Sequence, residues 1–329
     1  MGKSLGNGHS SGILLVIEWL QRMSKVPVLK TLSDLAEQDT TSFRFFPSGE
    51  PLSQFVAYLY TSEVRSQFAA QIEAVRLPEV EAQLVFAIED GNTLPGGIGL
   101  GGGLRGCLFL QPGHLQVIPI PGGVRQAVGA SFRPGGLRLL LPGGAHGLPD
   151  APLFALDELW GAEGRELRER LILAQTAGRR LVLLQQYLCA RAQQLERPSR
   201  IVERAFELIR ATHGEISAEH LARTCGCTSR TLRNATLAEA GLTPKHLARI
   251  VRIRYALELL ASAGNPLSTA AASSAFSDQA HMTREFRELI GEPPSQLGQK
   301  IRSPGMPSFS AERNLISTGL LVTPRADVR

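Results

Sequence analysis

The chain has 329 residues, of which 43% are hydrophobic, and a formal net charge of +5 at neutral pH. That length fits two domains and that apolar content is enough to build a core in each, which excludes an extended or wholly disordered protein. The only long apolar run near the N-terminus, GILLVIEWL at 12–20, is too short to span a bilayer, contains Glu18 and is followed by no small-residue cleavage site, so neither a membrane anchor nor a leader is expected and the cytoplasm is the expected compartment.

Cys107, Cys189, Cys225 and Cys227 show no secreted-disulfide layout and read as free thiols in a reducing compartment. The charge is unevenly placed: residues 43–197 are neutral overall, whereas 198–303 carry +4. An excess of this size suits a nucleic-acid partner, but a solvated helical surface would carry it equally well.

Residues 1–42 have no clear period and are expected to form a weakly ordered extension, with Met23 left open as an alternative start. Residues 43–197 are expected to form a β-rich domain with C-terminal helices. Its opening segment has a Pro-Gly turn and then Leu52, Phe55, Val56 and Leu59 at helical or mixed spacing. The short apolar runs AQLVFAI, CLFLQ, LQVIPI and VGASF follow, separated by the turn signals EDGN, PGGIGLGGG, PGG and RPGG. Gly99 to Gly103 read as a loop and not as a phosphate cradle, because no strand and capped helix flank them. From Leu156 the period turns helical, with Leu167, Leu171, Leu181, Leu184 and Leu188 on helical repeats as far as Pro198.

Residues 198–303 read as helices throughout. Ile201, Ala205, Leu208 and Ile209 form a stripe ahead of Gly214. Ser217 is placed to cap a short helix, and Thr228, after the Cys227–Thr228 turn, to cap SRTLRNATLAEAG. Thr243 and Pro244 open a long helix to about Ser262, whose Lys245, Arg249, Arg252 and Arg254 either approach phosphates or make a solvated face. Then Ser268 is expected to cap a helix from Thr269 to Ser274, and Ser277 a helix from Asp278 to Ile290, with Met282, Phe286 and Leu289 or Ile290 turned inward and Phe276 sealing the turn. The opposite side exposes Gln279, His281, Arg284 and Arg287, whose amide and guanidinium groups suit adenine edges, guanine edges and phosphate. Gly291, Pro293 and Pro294 end the helix, and residues 304–329 are expected to be a disordered tail.

The segments FSDQAHMTREFRELIGEPPSQL and GLTPKHLARIVRIRYALELLAS resemble the second helix-turn-helix and the long connecting helix of the AraC/XylS family of bacterial transcription regulators. The resemblance covers about 100 residues, from roughly Ile201 to Ile301. It implies a fold class of α+β: a β-rich N-terminal domain with trailing helices, then an all-α DNA-binding domain of two helix-turn-helix units joined by a long helix. It also implies a sequence-specific, DNA-binding regulator acting on double-stranded DNA and possessing no enzymatic activity. An effector, a homodimer and RNA polymerase are the further partners expected, with no cofactor. The layout of VGASFRPGGLRLLL, LDELWG and the helical pair after it is similar to an uncharacterised sensor-like domain found ahead of such DNA-binding domains. By family position and exposed face together, DNA contacts are expected from Ser229, Arg230, Arg233 and Asn234 in the first unit and Gln279, His281, Arg284 and Arg287 in the second.

Four positions depart from the family pattern: Asn234 replaces an Arg, Thr236 a buried Phe, Ala270 a larger apolar residue and Ala275 a turn Gly. The alternative they raise is a regulator with weakened DNA binding that acts through protein partners. Metal and catalytic chemistry are not expected. Cys225 and Cys227, with His213 and His220, lack the usual C-x2-C spacing, and His114 and His146 would meet Glu79 or Glu81 only if the fold joined them.

Overall fold

The computed structural model describes residues 40–66, 72–76, 78–88, 107–110, 113, 116–120, 123–141, 145, 153–261, 266–297 and 320–324. In the N-terminal half the strands are β1 (Thr40–Phe46), β2 (Val56–Ser66), β3 (Ile72–Arg76), β4 (Ala82–Ile88), β5 (Cys107–Leu110), β6 (Gln116–Ile120), β7 (Gly123–Phe132) and β8 (Leu153–Ala155). Six of them form an antiparallel sheet in the order β1-β2-β7-β4-β5-β8. At its centre, Leu84 and Phe86 of β4 and Val128, Ala130 and Phe132 of β7 are buried at the two-residue step of a pleated strand.

Helices cover that apolar face. A short α1 (Leu137–Leu140) follows the 3-10 turn Pro134–Gly136, and α2 (Leu156–Leu173) and α3 (Ala177–Ala192) follow β8. Leu167 and Leu171 of α2 and Leu181, Leu184 and Leu188 of α3 join the sheet side chains in one buried cluster, as their helical spacing predicts. Gly161, at φ 55°, breaks α2 after its first turn. The break seats Trp160 so that its indole N–H donates to the Leu140 carbonyl at 2.6 Å, and the Arg191 guanidinium lies 4.5 Å over the ring.

Several expectations are corrected. The segment around Leu52, Phe55, Val56 and Leu59 is not helical beyond the 3-10 turn Leu52–Gln54, because Val56 begins β2. The register with β7 shifts between Val56 and Tyr58, and this irregularity places Val56 and Leu59, three apart, both in the core, which mimics helical spacing in the sequence. β1 starts at Thr40, ahead of the expected boundary at 42/43. The expected tail contains a strand, β9 (Leu320–Pro324), whose LLVT run is strand-forming. It pairs antiparallel with β3 in a three-stranded sheet ordered β6-β3-β9. The extension ahead of Thr40 and the glycine loop at 99–103 lie outside the described residues, as do His114 and His146. Among the described residues no helix is long and apolar enough to cross a membrane.

From residue 200 onward the described elements are helices up to 297: α4 (Arg200–Ala211), α5 (Ala218–Thr224), α6 (Ser229–Ala240), α7 (Pro244–Ala261), α8 (Leu267–Ser273) and α9 (Gln279–Leu289), then one more turn at 294–297. The 3-10 turn at Pro134–Gly136 packs on both α4 and α6 and seats this half on the other.

That seat tolerates no added atom at Gly136, where a Cβ would lie 2.0 Å from the Phe55 carbonyl oxygen. Gly136→Ala is expected to cost about 3 kcal/mol, at the upper end of ordinary single substitutions. Chemical denaturation of the full chain measures this, and an unchanged midpoint would refute the close approach.

Candidate nucleic-acid interface

Each reader is a short helix, a sharp turn and a capped second helix. In the first unit the Ser217 hydroxyl accepts from the His220 N–H at 3.2 Å and so caps α5, as expected. The chain then turns through Gly226, at φ 68°, and the Thr228 hydroxyl accepts from the Thr231 N–H at 3.1 Å to cap α6. Leu232, Thr236 and Ala240 form the buried side of α6, while Ser229, Arg230, Arg233 and Asn234 are exposed on its first turns. Thr236 is fully buried, which confirms it as a core position. Its hydroxyl donates to the Arg233 carbonyl at 3.1 Å, so the polar atom is satisfied without filling the space of an aromatic ring.

The second unit departs from the expected caps. α8 starts at Leu267 with Pro266 ahead of it, so Ser268 lies inside the helix and does not cap it. α9 is capped by Asp278, one residue later than expected: its carboxylate accepts from the His281 N–H at 2.6 Å. That bond, made to the charged form, holds the Asp278 carboxyl below its usual range. The intervening turn puts Ala275 at φ 54°, the positive φ that its place in the turn predicts. Phe276 seals the turn, and Met282, Phe286 and Ile290 are buried beneath α9.

Gln279, Arg284 and Arg287 are exposed on α9, but His281 is only partly so. Its ring is held locally: Nδ1 lies 3.0 Å from the Ser277 hydroxyl, Nε2 lies 3.8 Å from Glu285, and Phe276 packs edge-on at 5.5 Å. The geometry thus separates His281 from the other three.

α7 joins the units. Thr243 accepts from the His246 N–H at 3.2 Å, and Pro244 takes the first helical position. Of the four bases on α7, only Lys245 is exposed. Arg249 pairs with Glu285 at 2.7 Å and Glu288 at 2.8 Å, Arg252 donates to the Gly214 carbonyl at 2.7 Å, and Arg254 pairs with Glu79 at 2.5 Å. Neither reading of this group holds as a whole, because three of the four guanidinium or ammonium groups are spent on contacts inside the protein. Gly214 is where α4 meets α7: it sits at φ 79°, and a Cβ on it would fall 2.2 Å from the Ala248 carbonyl oxygen.

The cysteine and histidine set does not converge. His213 stacks on Tyr255 at 3.8 Å, and burial pushes the Cys225 thiol up, away from the thiolate a metal would need. Among the described residues no group of three or more His, Cys, Asp or Glu is placed to hold a metal. Glu79 and Glu81 face the C-terminal half, pairing with Arg254 and Arg210. A cleft of about 750 Å3 opens there between the halves, with Tyr58, Gln83 and Ser131 on one wall and Phe206, His213 and Tyr255 on the other. Sequence reasoning gave no sign of it, since its walls come from segments more than 60 residues apart.

Two adjacent helix-turn-helix units with solvent-facing second helices define a DNA-binding protein. A helix-turn-helix domain family matches residues 221–300. Over 32% of this chain and all of the other, the sequence is 31% identical to a probable AraC family transcriptional regulator from Rhodopseudomonas palustris, with a TM-score of 0.29. The C-terminal domain of AraT, a response regulator from Geobacillus stearothermophilus, is 25% identical over 32% of this chain and 88% of its own, with a TM-score of 0.30. ToxT from Vibrio cholerae aligns over 82% of this chain and all of its own at 10% identity, with a TM-score of 0.37. No curated protein matches the chain. Residues 221–300 thus carry an AraC-type helix-turn-helix domain, the DNA-binding module of a family of transcription regulators.

A left-handed alanine is strained where glycine is not. Ala275→Gly is expected to stabilise the protein by about 1 kcal/mol. A higher thermal midpoint would show it, whereas a lower one would mean that the turn gains more from the methyl than it loses in strain.

Proposed function

We propose that the protein binds a specific duplex site through both units, with residues 198–303 as the reading half and residues 43–197 as the half that senses an effector and makes dimer contacts. The observation that carries this reading is the pair of exposed helix faces, Ser229, Arg230, Arg233 and Asn234 on α6 and Gln279, Arg284 and Arg287 along α9, both joined by helix α7. Gln279 suits an adenine edge, and the arginines suit guanine or phosphate. His281, held by Ser277 and Glu285, orients the start of α9 and touches DNA only secondarily. The cleft between the halves is the place where an effector would meet both. The regulator works in the cytoplasm, where RNA polymerase is its expected partner at a promoter.

The test is selection from a randomised duplex pool by the full-length protein, followed by anisotropy at two salt concentrations. A recovered site should contain two half-motifs about one helical turn apart, roughly 34 Å. Arg284→Ala should weaken binding to it by about 1–3 kcal/mol, and Asn234→Arg should strengthen it and steepen the salt dependence by about one phosphate contact. A second reading, regulation through protein partners with weak DNA binding, is favoured by Asn234, the small buried Thr236 and the strained Ala275. Steep salt dependence without an enriched motif would select that reading.

Dimer contacts have a candidate surface on α2 and α3, where Ile172, Leu173 and Val182 are exposed apolar residues and Leu173 is 79% exposed. Leu173→Glu together with Val182→Glu is expected to convert a dimer into a monomer in sedimentation. An unchanged mass would remove this face from consideration.

A further inference from the structure

The contacts between the two halves of the chain fall unevenly on the two helix-turn-helix units. The segment between β3 and β4 presents Glu79, Val80 and Glu81 to the C-terminal half. Val80 is only 4% exposed and belongs to the same buried cluster as Ala205, Phe206 and Ile209 of α4, Leu221 of α5 and Leu232 of α6. It is thus a core residue of the first unit, although the N-terminal half supplies it. On either side of it, Glu79 pairs with Arg254 of α7 and Glu81 with Arg210 of α4. The Arg254 and Glu79 side chains are 13% and 6% exposed, so the pair is largely desolvated.

Further contacts among the described residues reach the first unit. The Gly113 N–H donates to the Glu79 carbonyl at 2.6 Å, and a Cβ on Gly113 would lie 2.8 Å from the Leu242 side chain, just past α6. Gly135 lies against Pro198, and the Ala145 N–H donates to the Ala238 carbonyl at 3.1 Å. The core of the second unit, by contrast, is a cluster drawn wholly from residues between Ile253 and Leu297. α8 and α9 pack on α7 and on each other.

We propose that Val80, anchored by Glu79 and Glu81, is a detachable plug that completes the core of the first helix-turn-helix unit, so that the N-terminal half controls the order of the first reader and leaves the second autonomous. Withdrawing the plug removes an apolar side chain from that core and separates two ion pairs in one movement. The consequence for DNA recognition rests on the two-reader function proposed above; the consequence for local order does not.

Amide hydrogen exchange on the full-length protein separates the two. In Val80→Ala, and in the double variant Glu79→Gln and Glu81→Gln, protection in α4, α5 and α6 is expected to fall about tenfold while α8, α9 and the strands β2, β4 and β7 keep theirs. Val80→Ile, which retains the apolar contact, is expected to keep protection in α4, α5 and α6. Equal loss in both units, loss extending into the strands, or no loss in α4 to α6 would each overturn the proposal. On the selected duplex, the plug variants should lose protection of one half-motif and retain the other. A protein that binds no duplex in any form would defeat the DNA reading while the exchange result still decides the plug.

Discussion

The separation of the two readers depends on α7 holding places in two hydrophobic cores at once. Leu247, Ala248 and Ile250 on its first turns belong to the cluster of the first unit, and Ile253, Ala256 and Leu257 to that of the second. Eighteen residues of continuous helix span about 27 Å, so neither unit can shift along α7 without exposing apolar side chains to water. The ion pairs of Arg249 with Glu285 and Glu288 add a second restraint, fixing α9 to α7 at a point beside the second core. A pair of readers on such a strut suits a target with two fixed major-groove segments on one face.

The same helix also receives the N-terminal half. Arg254, Val251 and Tyr255 line the cleft, and Arg254 is held by Glu79. Residues of opposite parity on the central strands divide the work of the sheet. Leu84 and Phe86 face the helices α2 and α3, while Gln83 and Ser131, both largely buried, line the cleft on the other side. A change on that wall therefore lies one residue from the sheet's own core and directly opposite α4 and α7.

The two units differ in how their polar and strained positions are supported. In the first, burial raises the pKa of the Glu239 carboxyl at the end of α6, opposed by the Ser199 N–H that it accepts at 3.1 Å, so the recognition helix is tied to the start of α4. In the second, the Asp278 cap, the His281 ring and Ala275 concentrate local hydrogen bonds and a positive φ in the turn itself.

The sequence by itself determined the elements whose order comes from local rules. Helical periodicity and the caps at Ser217, Thr228 and Thr243 placed α4 to α7, the apolar runs placed β4 to β7, and the exposed first turns of α6 and α9 followed from the positions of Leu232, Met282 and Phe286. Capping was legible only within a residue where several polar side chains stand together, so Asp278 and not Ser277 closes α9. Phase was legible in a strand only where the register is regular, and the shift near Tyr58 hid β2. The pairing of β9 with β3, the engagement of Arg249, Arg252 and Arg254, the partners of Glu79 and Glu81, and the placing of Val80 in a core more than a hundred residues away were decided by tertiary structure alone. Each depends on which surfaces meet after folding, and a charge or a valine carries the same local signature whether it ends in water, on a phosphate or inside another domain.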